Sequence, residues 1–205
     1  KSFDWYYIQS KYFDVYFYDS DKGSTNINSN AEFVARESLK SYDIISNAIG
    51  WKLKNRIPII VYNSHNDFQQ TNIIDMYMPE GVGGVTELYK NRVVIPFDGN
   101  NNQFKTVIHH ELVHAFINDY IYKGSIQNMQ NDDVILIPLW MNEGLAEFLS
   151  TPWQTESDMW MRDLVVNGEK LPKLNELNGY LAYRGGQSVW KYIVEELDTL
   201  YAQGK

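Results

Sequence analysis

The chain has no cysteine, and that absence removes disulfide bridges, thiolate metal ligands and cysteine nucleophiles together. It also lacks any apolar run near the 20 residues that a membrane-spanning helix requires, so no membrane span is expected. Positive charge is scarce: 18 Lys and Arg stand against 26 Asp and Glu, giving a net charge of −8 and a pI near 5.0. Such a chain has no basic footprint for a polyphosphate backbone, and nucleic acid is not an expected partner. No internal repeat or low-complexity tract is visible. What is there is apolar and aromatic, with 44% hydrophobic and 15% aromatic residues in a chain of 205. That suffices for one large core or two closely joined lobes.

The most informative stretch is residues 107–116, Val-Ile-His-His-Glu-Leu-Val-His-Ala-Phe. Within it His110, Glu111 and His114 form a His-Glu-x-x-His pattern. A helix turns 100° per residue, so positions i and i+4 share a face one turn apart, where two imidazoles can hold one metal ion. A zinc ion held this way brings a water to a pKa of about 7, and a carboxylate beside it can take the proton as that water attacks a carbonyl. Ile108, Leu112, Ala115 and Phe116 form a stripe turned away from the histidine face, so this helix has one side in a core. His109 points about 100° away from His110 and cannot share the metal face, so a partly exposed or supporting position is expected for it. His65, in a polar loop, is expected to face solvent.

A catalytic zinc normally takes three protein ligands and keeps a fourth position open, so one more His, Asp or Glu is sought downstream. Residues 139–149 supply it. Trp140, Met141, Leu145, Phe148 and Leu149 recur with helical period, and Glu143 and Glu147 sit one turn apart beside the small Gly144 and Ala146. An isolated carboxylate pair of this kind reads as surface ion pairing with Lys or Arg; after a His-Glu-x-x-His helix, metal ligation becomes the better reading.

In this order, His110-Glu-Leu-Val-His114 and Trp140-Met-Asn-Glu-Gly144 resemble the motifs of the gluzincin metallopeptidases. Glu143-Gly-Leu-Ala-Glu147 and Ala182-Tyr-Arg-Gly-Gly186 are similar to motifs of the peptidase MA-like metallohydrolases, and the resemblance covers roughly residues 57 to 197. It implies one zinc ion held by His110, His114 and Glu143, with Glu111 as general base and then acid. By the same resemblance Glu147 is an acceptor for a ligand histidine, fixing its tautomer. It also implies a tyrosine that donates to the oxyanion from just before a Gly-containing helix start. Tyr183, three residues ahead of Gly186, matches that pattern better than Tyr180, which is the reserve. Some relatives of this kind carry a β-propeller after the peptidase domain, for which this chain is too short.

Upstream, residues 81–89, a Lys90-Asn91 turn and residues 92–97 read as a β-hairpin. Its glycine-weakened first arm suits an edge strand that pairs with an extended substrate, which makes Gly84, Val85 and Thr86 candidate substrate-binding residues; an ordinary surface hairpin is the other reading. Similar aminopeptidases grip the substrate's free amine through a Glu in a Gly-x-Met-Glu-Asn strand. Here Thr86 falls at that position and Glu87 is one place out of register, which turns its side chain to the opposite face.

Residues 12–18 alternate as a strand, Ser20 to Asn30 is a loop, and Ala31 to Ile49 is a helix. Ala31, Val34, Ala35, Ser38, Tyr42, Ile45 and Ile49 are its buried stripe, Ser29 or Asn30 its cap and Gly50 its stop. Residues 57–62 are a short apolar strand, and 63–71 a turn with a short helix. Strands end near Phe97. Beyond Tyr122 every regular element reads as helix, with Lys123 to Asp133 a loop and Leu181 to Leu197 a final amphipathic helix whose inward residues are Val189, Trp190, Ile193 and Leu197. The expected fold is α+β and gluzincin-like: one catalytic domain over residues 1–205, with a small mixed sheet lobe carrying the zinc helix (1–120), a helical lobe (121–205), and zinc in the cleft between them.

The function these signs imply is a zinc-dependent peptidase acting on a peptide or protein substrate, an endopeptidase rather than an aminopeptidase because of Thr86. The alternative is a catalytically weak or inactive zinc-fold binding module that recognises glycans or a protein partner, which would have no need of Glu111. The chain starts without Met and with an aromatic run (Phe3, Trp5, Tyr6, Tyr7), so a removed leader and an extracytoplasmic location, periplasmic or secreted, are expected, and further domains can follow in a longer protein.

Overall fold

Five short runs rich in β-branched and aromatic residues build one mixed sheet. They are β1 (Trp5–Gln9), β2 (Phe13–Tyr18), β3 (Ile57–Tyr62), β4 (Val85–Glu87) and β5 (Arg92–Pro96), in the order β1-β2-β3-β5-β4. The structure is a computed structural model and describes residues 3–18, 29–72, 81–124, 135, 137–168 and 171–203. The expected loops at Ser20 to Asn30 and Lys123 to Asp133 lie largely outside the described residues. Among the described residues six α-helices accompany the sheet, so the expected α+β class holds. None of these helices is long and apolar enough to cross a membrane. The chain divides into two compact units, Lys1–Ile135 and Leu136–Lys205.

In the first unit the three inner strands run parallel, with Val15 opposite Ile59 and Ile59 opposite Val93, while β1 and β4 are antiparallel edges. A parallel centre must be covered on both faces, which is why β3 reads Ile-Pro-Ile-Ile-Val-Tyr without polar alternation. On one face Phe13, Val15, Ile59, Val61, Val93 and Ile95 are buried. Helices α1 (Ser29–Ile49) and α3 (Asn101–Tyr122) belong to this side, where the Tyr42 ring lies 6.4 Å from Phe13 and 5.4 Å from Phe116. On the other face Tyr18, Ile60, Tyr62 and Val94 cluster with Phe68 of the short helix α2 (His65–Phe68). The Tyr18 hydroxyl donates to Asp67 at 2.7 Å and accepts from the Asn63 amide at 2.9 Å.

Helix α1 buries Ala31, Val34, Ser38, Tyr42 and Ile45 as expected, and Gly50 ends it with a φ of 69°. It begins at Ser29, so Ser29 and Asn30 lie inside it instead of capping it. Strand β1 has no counterpart in the sequence reading: the aromatic run there is an edge strand with cross-strand ring pairs Tyr6–Phe17 and Tyr7–Tyr16.

In α3 the Asn100 side chain accepts from the amides of Asn102 and Gln103, satisfying two N-terminal donors, and left-handed Lys123 and Gly124 terminate the helix. Buried Asp119 accepts from Trp51 Nε1 and from the Lys54 amide, both at 2.9 Å, and so ties the segment before β3 to the end of α3. The apolar stripe Ile108, Leu112, Ala115 and Phe116 is fully buried, as its spacing implies.

The regular elements of the second unit are, among the described residues, all helical: α4 (Leu139–Ser150), α5 (Thr155–Asn167), a 3-10 turn at Leu174–Glu176 and α6 (Tyr180–Ala202). Helices α4 and α6 cross at two glycines. A β-carbon on Gly144 would sit 2.5 Å from the Gly186 Cα, and one on Gly186 would sit 2.2 Å from the Trp140 carbonyl oxygen. Trp190 Nε1 donates to the Met141 carbonyl at 3.0 Å and Gln187 Nε2 to the Thr151 carbonyl at 2.8 Å, closing the pair. This corrects the expected inward stripe of the last helix. The buried residues are Ala182, Gly185, Gly186 and Gln187, Val189, Trp190 and Ile193 are half-buried, and Leu197 is 59% exposed. The crossing lies in the N-terminal half of α6, and Leu197 is about three turns beyond it.

Candidate metal centre

Helix α3 brings His110 and His114 to one face, as their spacing requires. Their Nε2 atoms are 3.2 Å apart and their rings 4.9 Å apart at 78° to one another. Two nitrogens each about 2.0–2.1 Å from a tetrahedral ion lie about 3.3 Å apart, so the separation of the pair matches that around a zinc-sized ion. A single N–H···N hydrogen bond spans a similar distance, and the rest of the donor set therefore decides. Among the described residues, His110 and His114 of the first unit each offer a ligand nitrogen, and Glu143 of the second unit is the carboxylate candidate for the same ion. Two imidazole nitrogens and a carboxylate oxygen suit a first-row divalent cation.

Glu111 follows His110 directly and is buried. Strand β4 lies beside it: the Thr86 hydroxyl is 2.7 Å from Glu111 Oε2 and 2.9 Å from the Glu111 carbonyl oxygen. Gly84 completes the contact, since a β-carbon there would stand 2.9 Å from Glu111 Cγ and 3.1 Å from Oε1. Of the three residues expected to bind substrate, Gly84 and Thr86 thus meet Glu111, and Val85 packs against the Tyr18, Ile60 and Tyr62 cluster. Glu87 is committed elsewhere: its carboxylate accepts from the Tyr89 amide at 2.7 Å and from Arg92 Nε at 3.0 Å, which stabilises the hairpin turn.

Two other histidines lie on the same unit. His109 is half-buried, its Nε2 is enclosed without a hydrogen-bond partner among the described residues, and burial, helped by the charges of His110 and Lys105, pushes its pKa down to about 4. It is a neutral packing side chain. His65 departs from expectation: its Nε2 is buried without a hydrogen-bond partner among the described residues, and its ring packs 5.5 Å from Phe68 instead of facing solvent.

In the second unit Glu143 is half-buried on α4, and Glu147, one turn on, is buried. A buried carboxylate needs a cation or several donors, and Arg184 of α6 provides one, with Nη1 2.6 Å from Glu147 Oε1. Arg184 also reaches Gln187 Oε1 at 3.3 Å and donates through Nε to the Tyr180 hydroxyl at 3.0 Å. Tyr180, with its ring 5.0 Å from Trp160, is therefore engaged within its own unit. Tyr183 is half-buried in the first turn of α6.

Sequence reasoning missed Thr86 as a partner of Glu111 and Arg184 as a partner of Glu147. The second had a usable signal, because the apolar setting of Glu147 demands a partner and Arg184 is the only cation in residues 182–186. Comparison with known proteins finds no match for the chain: no protein-family model, no curated protein and no solved structure aligns with it.

Proposed function

We propose that this chain is a zinc-dependent peptidase of gluzincin type, in which His110, His114 and Glu143 hold the metal. The observation that carries the reading is the donor set, the His110 and His114 imidazoles one helical turn apart with Glu143 as the candidate carboxylate ligand, beside a buried, hydrogen-bonded Glu111. Zinc bound there supplies Lewis acidity and an acidified water. Glu111 takes a proton from the attacking water at Oε1, the carboxylate oxygen that Thr86 does not engage, and returns it to the departing amine. The Tyr183 hydroxyl donates to the substrate carbonyl oxygen as negative charge grows on it. Thr86 is neutral and Glu87 is held in the hairpin turn, so β4 offers no carboxylate to a free substrate amine. The proposed substrate is accordingly the interior of a peptide or protein chain.

Elemental analysis and a peptide library test this together. Purified protein is expected to carry close to one zinc, and Glu111→Gln to keep that zinc while losing on the order of 10² or more in rate. A chain that takes up no zinc on refolding overturns the proposal. So does a Gln variant that cleaves at the wild-type rate.

A further inference from the structure

We propose that Thr86 is a positioning residue for proton transfer, fixing one oxygen of the Glu111 carboxylate so that the other is presented to the proton it moves. This rests on the peptidase reading above. The Thr86 hydroxyl has one hydrogen and two acceptors within reach, Glu111 Oε2 at 2.7 Å and the Glu111 carbonyl at 2.9 Å. An ionised carboxylate is the stronger acceptor, so with Glu111 ready to accept a proton the hydroxyl points at Oε2. Once Glu111 is protonated the hydroxyl can turn to the carbonyl without losing a hydrogen bond. One donor thus serves both protonation states.

The support is rigid. Thr86 stands on β4 opposite Val93 of β5, in a register that the Leu88–Asn91 turn fixes, with the Asn91 amide donating to the Leu88 carbonyl at 3.1 Å. Glutamate has three side-chain torsions, and on a helix its carboxylate sweeps a wide arc unless something fixes it. Here the hydroxyl holds Oε2, while the bare Cα of Gly84 lets the Glu111 stem lie where any β-carbon would collide with Cγ. A general base earns its rate by geometry first, within hydrogen-bond reach of the proton. Hydrolysis then balances through one carboxylate: a C–O bond forms as the C–N bond breaks, and the proton Glu111 removes from water goes to the leaving nitrogen.

Valine matches threonine in shape and strand propensity and lacks only the hydroxyl, so Thr86→Val isolates the effect. With zinc-loaded protein and one peptide substrate, Thr86→Val is expected to lower kcat about 10-fold or more with KM within about twofold and zinc content unchanged. Thr86→Ser, which restores the hydroxyl, is expected to bring kcat back to within about threefold of wild type. Crystal structures give a second readout: the Glu111 carboxylate should leave its place in the Val variant and keep it in the Ser variant. A Val variant with wild-type kcat overturns the inference, as does one in which KM rises while kcat holds, which would make Thr86 a substrate contact. A Ser variant no better than Val, or a Glu111 unmoved in the Val crystal, does so too. If wild type hydrolyses nothing, or Glu111→Gln matches it, the peptidase reading itself has failed; if those two behave as expected and Thr86→Val does not, this inference alone has failed.

Discussion

At the scale of single residues, the tightest constraint on the base comes from a residue with no side chain. Gly84→Ala places a methyl 2.9 Å from Glu111 Cγ and 3.0 Å from Ile95 Cγ2, and Ile95 is fully buried and cannot retreat. Glu111 must move. The expected result is a kcat lowered about 10-fold or more, zinc content unchanged, and a stability cost of about 1–3 kcal/mol from overpacking. Steady-state kinetics beside a urea titration check both, and an Ala variant with wild-type kcat would show that Glu111 tolerates displacement. The histidine pair was legible in the sequence because its geometry is set by one helical turn, with no help from tertiary structure. Thr86 was not, because its contact with Glu111 spans 25 residues and joins a strand to a helix, and likewise the Glu147–Arg184 ion pair spans 37. Local periodicity carries no information about which element comes to lie beside which.

At the scale of elements, the motif glycines of α4 and α6 explain themselves as the floor of a helix crossing. Gly186→Ala would bring a β-carbon to 2.2 Å from the Trp140 carbonyl oxygen and 2.7 Å from the Gly144 Cα. Both obstacles are backbone, so no rotamer change relieves them and the helices must separate. The cost is expected to reach about 3 kcal/mol. Trp140 and Trp190 flank the crossing, so the midpoint of urea unfolding followed by tryptophan fluorescence reports it, and an unchanged midpoint would refute the close approach. The same crossing shows where periodicity misled. Val189, Trp190, Ile193 and Leu197 do share a face of α6, as their spacing says, but spacing cannot say how far along the helix its neighbour extends.

At the scale of the whole molecule, the α+β class was legible because the inner strands are continuous apolar runs and the helices are amphipathic. Strand β1 was not, since Trp-Tyr-Tyr-Ile-Gln has no alternation of apolar and polar residues to mark a strand. The sheet core of Phe13, Val15, Ile59, Val61, Val93 and Ile95 contains no candidate metal ligand, which bears on what metal removal should do. Secondary structure by far-UV circular dichroism is expected to survive chelation while hydrolysis is lost. Thermal stability should still respond to zinc, because a ligand that binds only the folded chain stabilises it by about 2.7 kcal/mol at 100 times its Kd. For a protein of this size that is roughly 5–10 °C in Tm. His110→Ala is the control: His110 is half-buried, so its removal should leave the apo Tm nearly in place while abolishing the zinc-dependent rise. A rise of equal size in that variant would mean that zinc stabilises the chain somewhere other than the α3 histidine pair.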